Sequence, residues 1–116
     1  MRVYIAGPMT GIEDYNFPAF FNAERRLKAA GYTVLNPARN PEGLEYHHYM
    51  DIAMAMIRSS EAVCVLPGWE KSKGARAEVA YAEALGKSTL ALSFLSRIEA
   101  VYFGRGGEGE KQYAAV

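Results

Sequence analysis

The sequence predicts an α/β fold, a single domain in which a doubly wound parallel sheet lies between two layers of helices. Two observations predict this class. Short apolar runs alternate along the chain with longer segments whose apolar residues recur at helical spacing. The predicted strands are near-continuous runs of apolar residues, which is typical of strands buried on both faces. A chain of 116 residues is long enough for one such core.

The first half of the chain predicts two strands and one helix. Arg2 to Ala6 is an apolar strand that ends at Gly7-Pro8. A helix begins at Phe17, and Gly31 is suited to end it. Tyr32 to Asn36 is the second strand. The expected buried stripe of the helix is Phe20, Ala23, Leu27 and Ala30, and the expected solvent side holds Glu24, Arg25, Arg26 and Lys28.

The second half predicts the remaining elements in the same alternation. A helix over His47 to Ser59 precedes a strand over Ala62 to Leu66. A helix over Gly74 to Leu85 precedes a strand over Ser88 to Leu92. Phe94 to Tyr102 is either a short helix or an edge strand. Right-handed crossovers then favour a flavodoxin-like or Rossmann-like order of four or five strands. We expect the domain to span residues 1–103 and residues 104–116 to form a flexible tail.

Composition excludes several classes of function. Thirteen basic and thirteen acidic side chains cancel, so no basic field indicates a nucleic acid polymer as partner. No window approaches the roughly 20 apolar residues that span a bilayer, which favours a cytoplasmic location and no membrane partner. The single cysteine, Cys64, lies within a strand and is interpreted as a buried structural thiol.

Three loops are expected to meet at the carboxyl ends of the strands, where open α/β sheets bind their ligands. They are Gly7-Pro8-Met9, Asn36-Pro37 and Pro67 to Glu78. The third passes from a strand through a loop with glycine, serine and lysine into a helix, which is how α/β proteins build an anion pocket. The candidate phosphate cradle is Ser72, Gly74 and Ala75, with charge from Lys71, Lys73 or Arg76. It is not a Walker motif, and Ser72 alone is equally well explained as a helix cap.

Two carboxylates are candidates for chemistry. Glu78 is expected in the first turn of its helix, where Ala82 and Leu85 continue its apolar stripe. It is either a partner of the helix dipole or a functional acid, and a half-buried position favours the second role. Asp51 is a candidate catalytic residue, although an aspartate at the start of a helix is more often a cap or a partner of the helix dipole.

Other chemistry is less well supported. His47 and His48 are adjacent and have no partner at ligand spacing, so we expect no metal site. No organic cofactor is expected. Trp69 and Tyr4 are candidates for stacking on a base, with plain packing as the alternative.

Together these segments resemble the nucleoside 2-deoxyribosyltransferase superfamily. Tyr4 to Gly11 looks like its opening strand and substrate loop, and Asn36-Pro37 looks like the end of its second strand. The pattern Ser72-x-Gly74-x-x-x-Glu78 looks like its catalytic helix. The similarity covers residues 1 to about 93 and is closest to small transferase-like proteins of phages and bacteria.

The resemblance implies roles for these residues. Glu78 matches the nucleophile that attacks the anomeric carbon. Ser72 stands at the distance of a serine that helps to bind a 5'-phosphate, and Gly7-Pro8-Met9 would face the base or sugar. The superfamily places a helix aspartate where this chain has Ala53, with Asp51 two residues earlier. A homodimer or larger homo-oligomer is expected by the same analogy.

The function expected from the sequence is therefore cleavage or transfer of an N-glycosidic bond. The substrate is a small molecule, a 2'-deoxynucleoside and by preference its 5'-monophosphate, and Glu78 forms a glycosyl-enzyme intermediate. The alternative is a binding protein that holds a nucleotide or a nucleotide-derived signal in the same pocket without turnover.

Overall fold

The computed structural model describes residues 1–102 and shows one parallel sheet of four strands. These strands are β1 (Arg2–Ala6), β2 (Thr33–Leu35), β3 (Ala62–Val65) and β4 (Ser88–Ala91). Their order is β2-β1-β3-β4, and every neighbouring pair is parallel. This is the first part of the flavodoxin-like order 2-1-3-4-5, so the predicted fold class is confirmed.

Four helices connect and follow the strands. They are α1 (Phe17–Ala29), α2 (Tyr46–Arg58), α3 (Lys73–Ala84) and α4 (Phe94–Tyr102). For the segment after β4 the sequence predicts either a short helix or an edge strand, and α4 shows that it is a helix. None of the helices in residues 1–102 is long and apolar enough to cross a membrane. The predicted flexible tail, residues 104–116, lies outside the described residues.

The core has two layers, one on each face of the sheet. Val3 and Ile5 of β1 pack with the side chains of α1 and with Leu95 of α4. Tyr4 and Ala6 point to the opposite face and pack with α2 and α3. Because successive side chains of a strand point to opposite faces, one apolar strand serves both layers. The side chain of Tyr4 is thereby fixed on the face that carries α3.

One expectation for α1 is wrong. The sequence predicts Glu24 on the solvent side, but only 6% of it is exposed. The Arg39 guanidinium donates two hydrogen bonds to its carboxylate, from Nε at 2.7 Å and Nη2 at 2.5 Å. The Asn36 side-chain amide donates a third, to Oε1 at 3.4 Å. These partners, with the Arg39 hydrogen bonds first, lower the pKa of Glu24 and compensate its burial.

The thiol of Cys64 is buried in β3, as predicted. Burial raises its pKa to about 11. Because the thiolate is the reactive form, this environment is that of an inert structural cysteine.

The end of β1 makes a close backbone approach at Gly7. A β-carbon added there would lie 2.8 Å from Cβ and 2.9 Å from Cδ1 of Leu66. Leu66 directly follows β3 and is fully buried, so it has little freedom to move. Glycine at position 7 therefore lets the loops after β1 and β3 leave the sheet side by side.

We expect Gly7→Ala to destabilise the fold by roughly 1–3 kcal/mol, because the added methyl group overpacks a filled core. Urea unfolding followed by circular dichroism measures the free energy of unfolding. Gly74→Ala is the matched control, since the nearest atom to its added carbon is 3.8 Å away. That control should be neutral or slightly stabilising because alanine favours the helix. Equal effects of the two substitutions would contradict the Leu66 contact as the cause.

Candidate active site

An open cleft of about 1330 Å³ lies at the carboxyl edge of the sheet. Its walls come from the loops after β1, β2 and β3 and from the N-terminal parts of α1, α2 and α3. The three loops that the sequence analysis brought together thus do meet at one edge of the sheet. Among the described residues, the charged side chains that line the cleft are Glu42, Lys71, Lys73 and Glu78.

A hydrogen bond between Tyr4 and Glu78 lies at the floor of the cleft. The Tyr4 hydroxyl donates to Oε2 of Glu78 at 2.7 Å. Tyr4 is fully buried in β1, whereas Glu78 is partly exposed to the cleft. Oε1 of Glu78 has no hydrogen-bond partner within residues 1–102. One carboxylate oxygen is therefore held in place, and the other is available to a ligand.

Burial dominates the ionisation of this pair. It raises the pKa of Glu78 to about 7, and the hydrogen bond from Tyr4 lowers that pKa only in part. Burial and the neighbouring carboxylate of Glu78 raise the pKa of Tyr4 well above its usual value. Tyr4 therefore remains a hydrogen-bond donor at neutral pH while Glu78 exchanges its proton near pH 7. A carboxyl group poised in this way is suited to a catalytic role.

The start of α3 explains how Glu78 reaches this place. Ser72 is the N-cap residue, and its hydroxyl oxygen accepts a hydrogen bond from the Ala75 amide at 3.2 Å. Counting from Lys73, Glu78 lies in the second turn, so the expectation of the first turn is wrong. Ala75 and Ala82 are buried on the stripe that Glu78 continues. Leu85, expected on the same stripe, follows the helix and is 44% exposed.

The same helix start offers donors to an anion. Within the described chain, the amides of Lys73 and Gly74 have no hydrogen-bond partner. The Ser72 hydroxyl accepts a bond and still has a proton to donate. Lys71 and Lys73 line the cleft beside it, while Arg76 does not. The positive end of the α3 dipole adds to this local preference for negative charge.

The loop after β1 has an unusual backbone. Asp14, Tyr15 and Asn16 all adopt left-handed conformations, with φ of 53°, 52° and 62°. The Asn16 side-chain amide donates a hydrogen bond to the carbonyl oxygen of Pro8 at 3.0 Å. Asparagine and aspartate tolerate this region better than other residues, which fits two of the three positions. The loop is thereby tied back over the end of β1 at the wall of the cleft.

Most residues predicted for the site line the cleft. The structure brings together the following eight predicted residues: Tyr4, Gly7, Pro8, Met9, Ser72, Gly74, Ala75 and Glu78. Tyr4 takes part through its hydroxyl, as the partner of Glu78, and its buried ring is unavailable for stacking. Three other predicted residues, Asn36, Trp69 and Asp51, do not line the cleft.

Asn36 and Trp69 have structural roles instead. Asn36 is buried at the end of β2, and its side-chain oxygen accepts a hydrogen bond from the Ala38 amide at 2.9 Å. It thus shapes the turn that leads to the cleft wall. Trp69 lies in a short 3-10 turn, Trp69–Lys71, and packs against the core layer of α2 and α3.

Asp51 is exposed on α2 and is absent from the cleft lining. The same helix presents Tyr46, Tyr49, Met50 and Ala53 to the cleft. Residues three and four apart share a helix face, so Met50 and Ala53 belong together and Asp51 lies off that face. The position that matches the superfamily's aspartate, Ala53, therefore does reach the cleft, but it carries no acid.

Sequence reasoning missed two parts of the site. Residues 12–20 are one of them, and the other is the segment from Asn40 to Tyr49. It contributes a whole wall of the cleft, including Glu42, Tyr46 and Tyr49. The signal was present, because this segment follows β2 and the ends of parallel strands meet at one edge. The tyrosines lie at the start of α2. Their spacing is explained by an amphipathic helix as well as by a binding site, so it did not single them out.

Two histidines beside this wall form an exposed cluster with Glu45. Oε2 of Glu45 lies 3.4 Å from Nδ1 of His47, and ligand atoms of Glu45, His47 and His48 lie within 4.8 Å of one another. Nδ1 of His48 accepts a hydrogen bond from the Glu45 amide at 3.1 Å, which caps α2. That use of the ring nitrogen competes with metal coordination.

Comparison with solved structures confirms the resemblance to 2-deoxyribosyltransferases. The 2-desoxiribosyltransferase from Leishmania mexicana superimposes with a TM-score of 0.64 at 26% identity, over 78% of this chain and 62% of that one. This chain thus spans less than two thirds of that protein's length. The 2-deoxyribosyltransferase from Bacillus psychrosaccharolyticus has a TM-score of 0.62 at 18% identity, over 78% of this chain and 71% of that one, and shows a common fold.

A search of curated proteins finds no match to this sequence. A family model does match, and it covers the whole sheet and the cleft, residues 1–91. The chain therefore belongs to the family described as "Domain of unknown function (DUF4406)".

Proposed function

We propose that this protein cleaves or transfers the N-glycosidic bond of a 2'-deoxynucleoside 5'-monophosphate, with Glu78 as the nucleophile. The observation that carries the proposal is the pair at the cleft floor, in which the Tyr4 hydroxyl holds one oxygen of a carboxylate with a pKa of about 7. The similarity to two 2-deoxyribosyltransferases supports the same reaction class.

The proposed reaction is a double displacement at the anomeric carbon. Oε1 of Glu78 attacks this carbon, and the bond to the base breaks with its electron pair going to the base nitrogen, which takes up a proton from solvent water. The product is a glycosyl ester of Glu78. Water, or the nitrogen of a second base, then attacks the same carbon and releases the carboxylate. Tyr4 contributes by orienting the carboxylate and by stabilising its ionised form.

The start of α3 is the proposed binding site for the 5'-phosphate. The amides of Lys73 and Gly74, the hydroxyl proton of Ser72 and the charges of Lys71 and Lys73 are the donors. A phosphate held there would place its sugar next to Glu78, one helical turn further along α3. The preference for a monophosphate over a nucleoside follows from these donors.

A second candidate function is nucleotide binding without turnover. The observation that favours it is the replacement of an acid by Ala53 on the face of α2 that lines the cleft. Because α2 supplies no carboxylate to the cleft at this position, one group fewer is available to activate the departing base. Stabilisation of the protein against heat by a nucleotide, with no release of base, would identify this function.

We expect Glu78→Gln to abolish release of free base from 2'-deoxynucleoside 5'-monophosphates, because the amide is not a nucleophile. Chromatography of the reaction with the four monophosphates and the matching nucleosides measures this. Binding affinity should change little. Glu83→Gln on the exposed side of α3 is the control and should retain full activity. Activity retained in Glu78→Gln would exclude the nucleophile.

The same substitution should stabilise the fold at alkaline pH. The pKa of Glu78 is raised from 4.5 to about 7 in the folded protein, so wild-type stability falls as pH rises between these values. Glu78→Gln lacks this loss and should be more stable by ~1–3 kcal/mol above pH 8. The two proteins should converge below pH 4. Urea unfolding across this pH range tests the sign.

Activity should rise with pH, because the nucleophile is the ionised carboxylate. Below an apparent pKa of about 7, kcat/KM should increase about tenfold per pH unit. Tyr4→Phe removes the hydrogen bond that lowers this pKa, so its profile should shift to higher pH. Tyr81→Phe, which alters a hydroxyl outside the cleft, is the control. Superimposable profiles for Tyr4→Phe and wild type would contradict the role of Tyr4.

Two substitutions of Ser72 separate phosphate binding from helix capping. Ser72→Ala should weaken monophosphates about tenfold relative to nucleosides and cost ~1 kcal/mol of stability, because cap and donor are both lost. Ser72→Asp keeps a capping acceptor and should retain stability, yet its charge repels phosphate and should weaken monophosphates further. Calorimetric titration measures the affinities. Equal weakening of nucleosides and monophosphates would exclude the phosphate site.

A further inference from the structure

We infer that Glu42 is a substrate-binding residue of the cleft and that Tyr49 positions it. The carboxylate of Glu42 accepts a hydrogen bond from a neutral donor of the nucleotide, which is either an exocyclic amino group of the base or a hydroxyl group of the sugar. The ligand class rests on the proposed function. The position and the chemistry of Glu42 rest on the geometry of the cleft wall.

The first observation is a clamp made by one hydroxyl group. The Tyr49 hydroxyl donates a hydrogen bond to the carbonyl oxygen of Pro41 at 2.8 Å and accepts one from the Leu44 amide at 3.3 Å. Both functions of the phenol are thereby used on one four-residue turn. Gly43 has a φ of +82°, a conformation that the turn needs and that glycine adopts without strain.

The second observation is the place of Glu42 inside this turn. Glu42 lies between Pro41 and Gly43. The clamp holds the backbone at Pro41 and at Leu44, and therefore on both sides of Glu42. Glu42 is exposed and lines the cleft, and Tyr49, which is half-buried, lines it too. A surface turn without such a clamp would lose conformational entropy when it binds a ligand. The clamp removes part of that cost, which is the effect of preorganisation on affinity.

The third observation is the distribution of charge over the cleft. The lysines that line it, Lys71 and Lys73, flank the start of α3, and Glu78 occupies the floor. Glu42 is the other acidic side chain in the described lining. An ionised carboxylate accepts hydrogen bonds and donates none, so its partner must be an N–H or O–H group. In a nucleotide, such neutral donors belong to the base and the sugar, whereas the phosphate would be repelled.

The test measures affinities in the Glu78→Gln background, where turnover does not interfere. Two ligands that differ at the base amino group are 2'-deoxycytidine and 2'-deoxyuridine 5'-monophosphate. A 2',3'-dideoxycytidine 5'-monophosphate tests the sugar hydroxyl. If Glu42 binds the base amino group, Glu42→Ala should weaken 2'-deoxycytidine 5'-monophosphate by about 10-fold or more and leave 2'-deoxyuridine 5'-monophosphate within about twofold. If Glu42 binds the sugar hydroxyl, both of these ligands should weaken by that factor and the dideoxy ligand should stay within about twofold. Glu13→Ala, an exposed loop glutamate outside the cleft lining, is the control.

Tyr49→Phe tests the positioning role, because it keeps the ring and removes both hydrogen bonds of the clamp. It should reduce the same affinity ratio in the same direction, by a smaller factor than Glu42→Ala. In the double variant the two effects should not add, since Tyr49 acts through Glu42. A purely structural role for Tyr49 would weaken all three ligands equally and would contradict the inference.

Three further results would overturn it. One is that Glu42→Ala changes neither the affinity ratio of 2'-deoxycytidine to 2'-deoxyuridine 5'-monophosphate nor that of 2'-deoxycytidine to 2',3'-dideoxycytidine 5'-monophosphate. Another is that Glu42→Ala increases the affinity for monophosphates and leaves the affinity for nucleosides unchanged, which would place the carboxylate at the phosphate. The third is that no nucleotide binds at all. Base release by the wild-type protein is measured separately. Absence of release together with a donor-selective loss in Glu42→Ala would refute the proposed enzyme and support Glu42 as a binding residue.

Discussion

The hydrogen bond between Tyr4 and Glu78 is the constraint on which the site depends. It joins a residue in the central strand β1 to a residue in α3 that is 74 positions later in the sequence. The bond requires that Tyr4 point to the face of the sheet that carries α3 and that Glu78 lie on the buried stripe of that helix. Burial raises the pKa of this carboxylate, so it lowers the stability of the fold as the pH rises from 4.5 to about 7. A group of this kind is expected where function, and not stability, has determined the residue.

The neighbouring features serve this arrangement. Gly7 lets the end of β1 pass against Leu66, so that the loops after β1 and β3 stay side by side above the pair. Ser72 caps α3, and the two amides that it leaves free belong to Lys73 and Gly74, which line the cleft. The carboxylate at the floor and the donors at the helix start therefore lie within two turns of one helix. A rigid helix fixes their separation better than a loop would, which suits a ligand with an anionic group and an electrophilic carbon.

The sequence predicted the fold and much of this helix, because both leave periodic or local signals. Buried strands appear as apolar runs, and the Ser72-to-Glu78 spacing follows from the helix itself. Long-range polar contacts leave no such signal. Glu24 looks like any solvent-facing residue of α1 until Arg39 reaches it from the turn after β2. Asp51 looks like a candidate acid, although a rotation of two positions on α2 takes it away from the cleft.

The second carboxylate of the cleft illustrates how position depends on the element that carries a residue. On a helix, an acid at position 53 would be aimed by the backbone alone, and no further support would be needed. The chain has Ala53 there and offers Glu42 from a turn instead. A turn residue is aimed only if other groups fix the backbone around it, and the Tyr49 hydroxyl does so on both sides. Ala53 and the clamped turn lie in α2 and in the segment that leads into it, so this part of the chain sets where negative charge lies on that wall of the cleft.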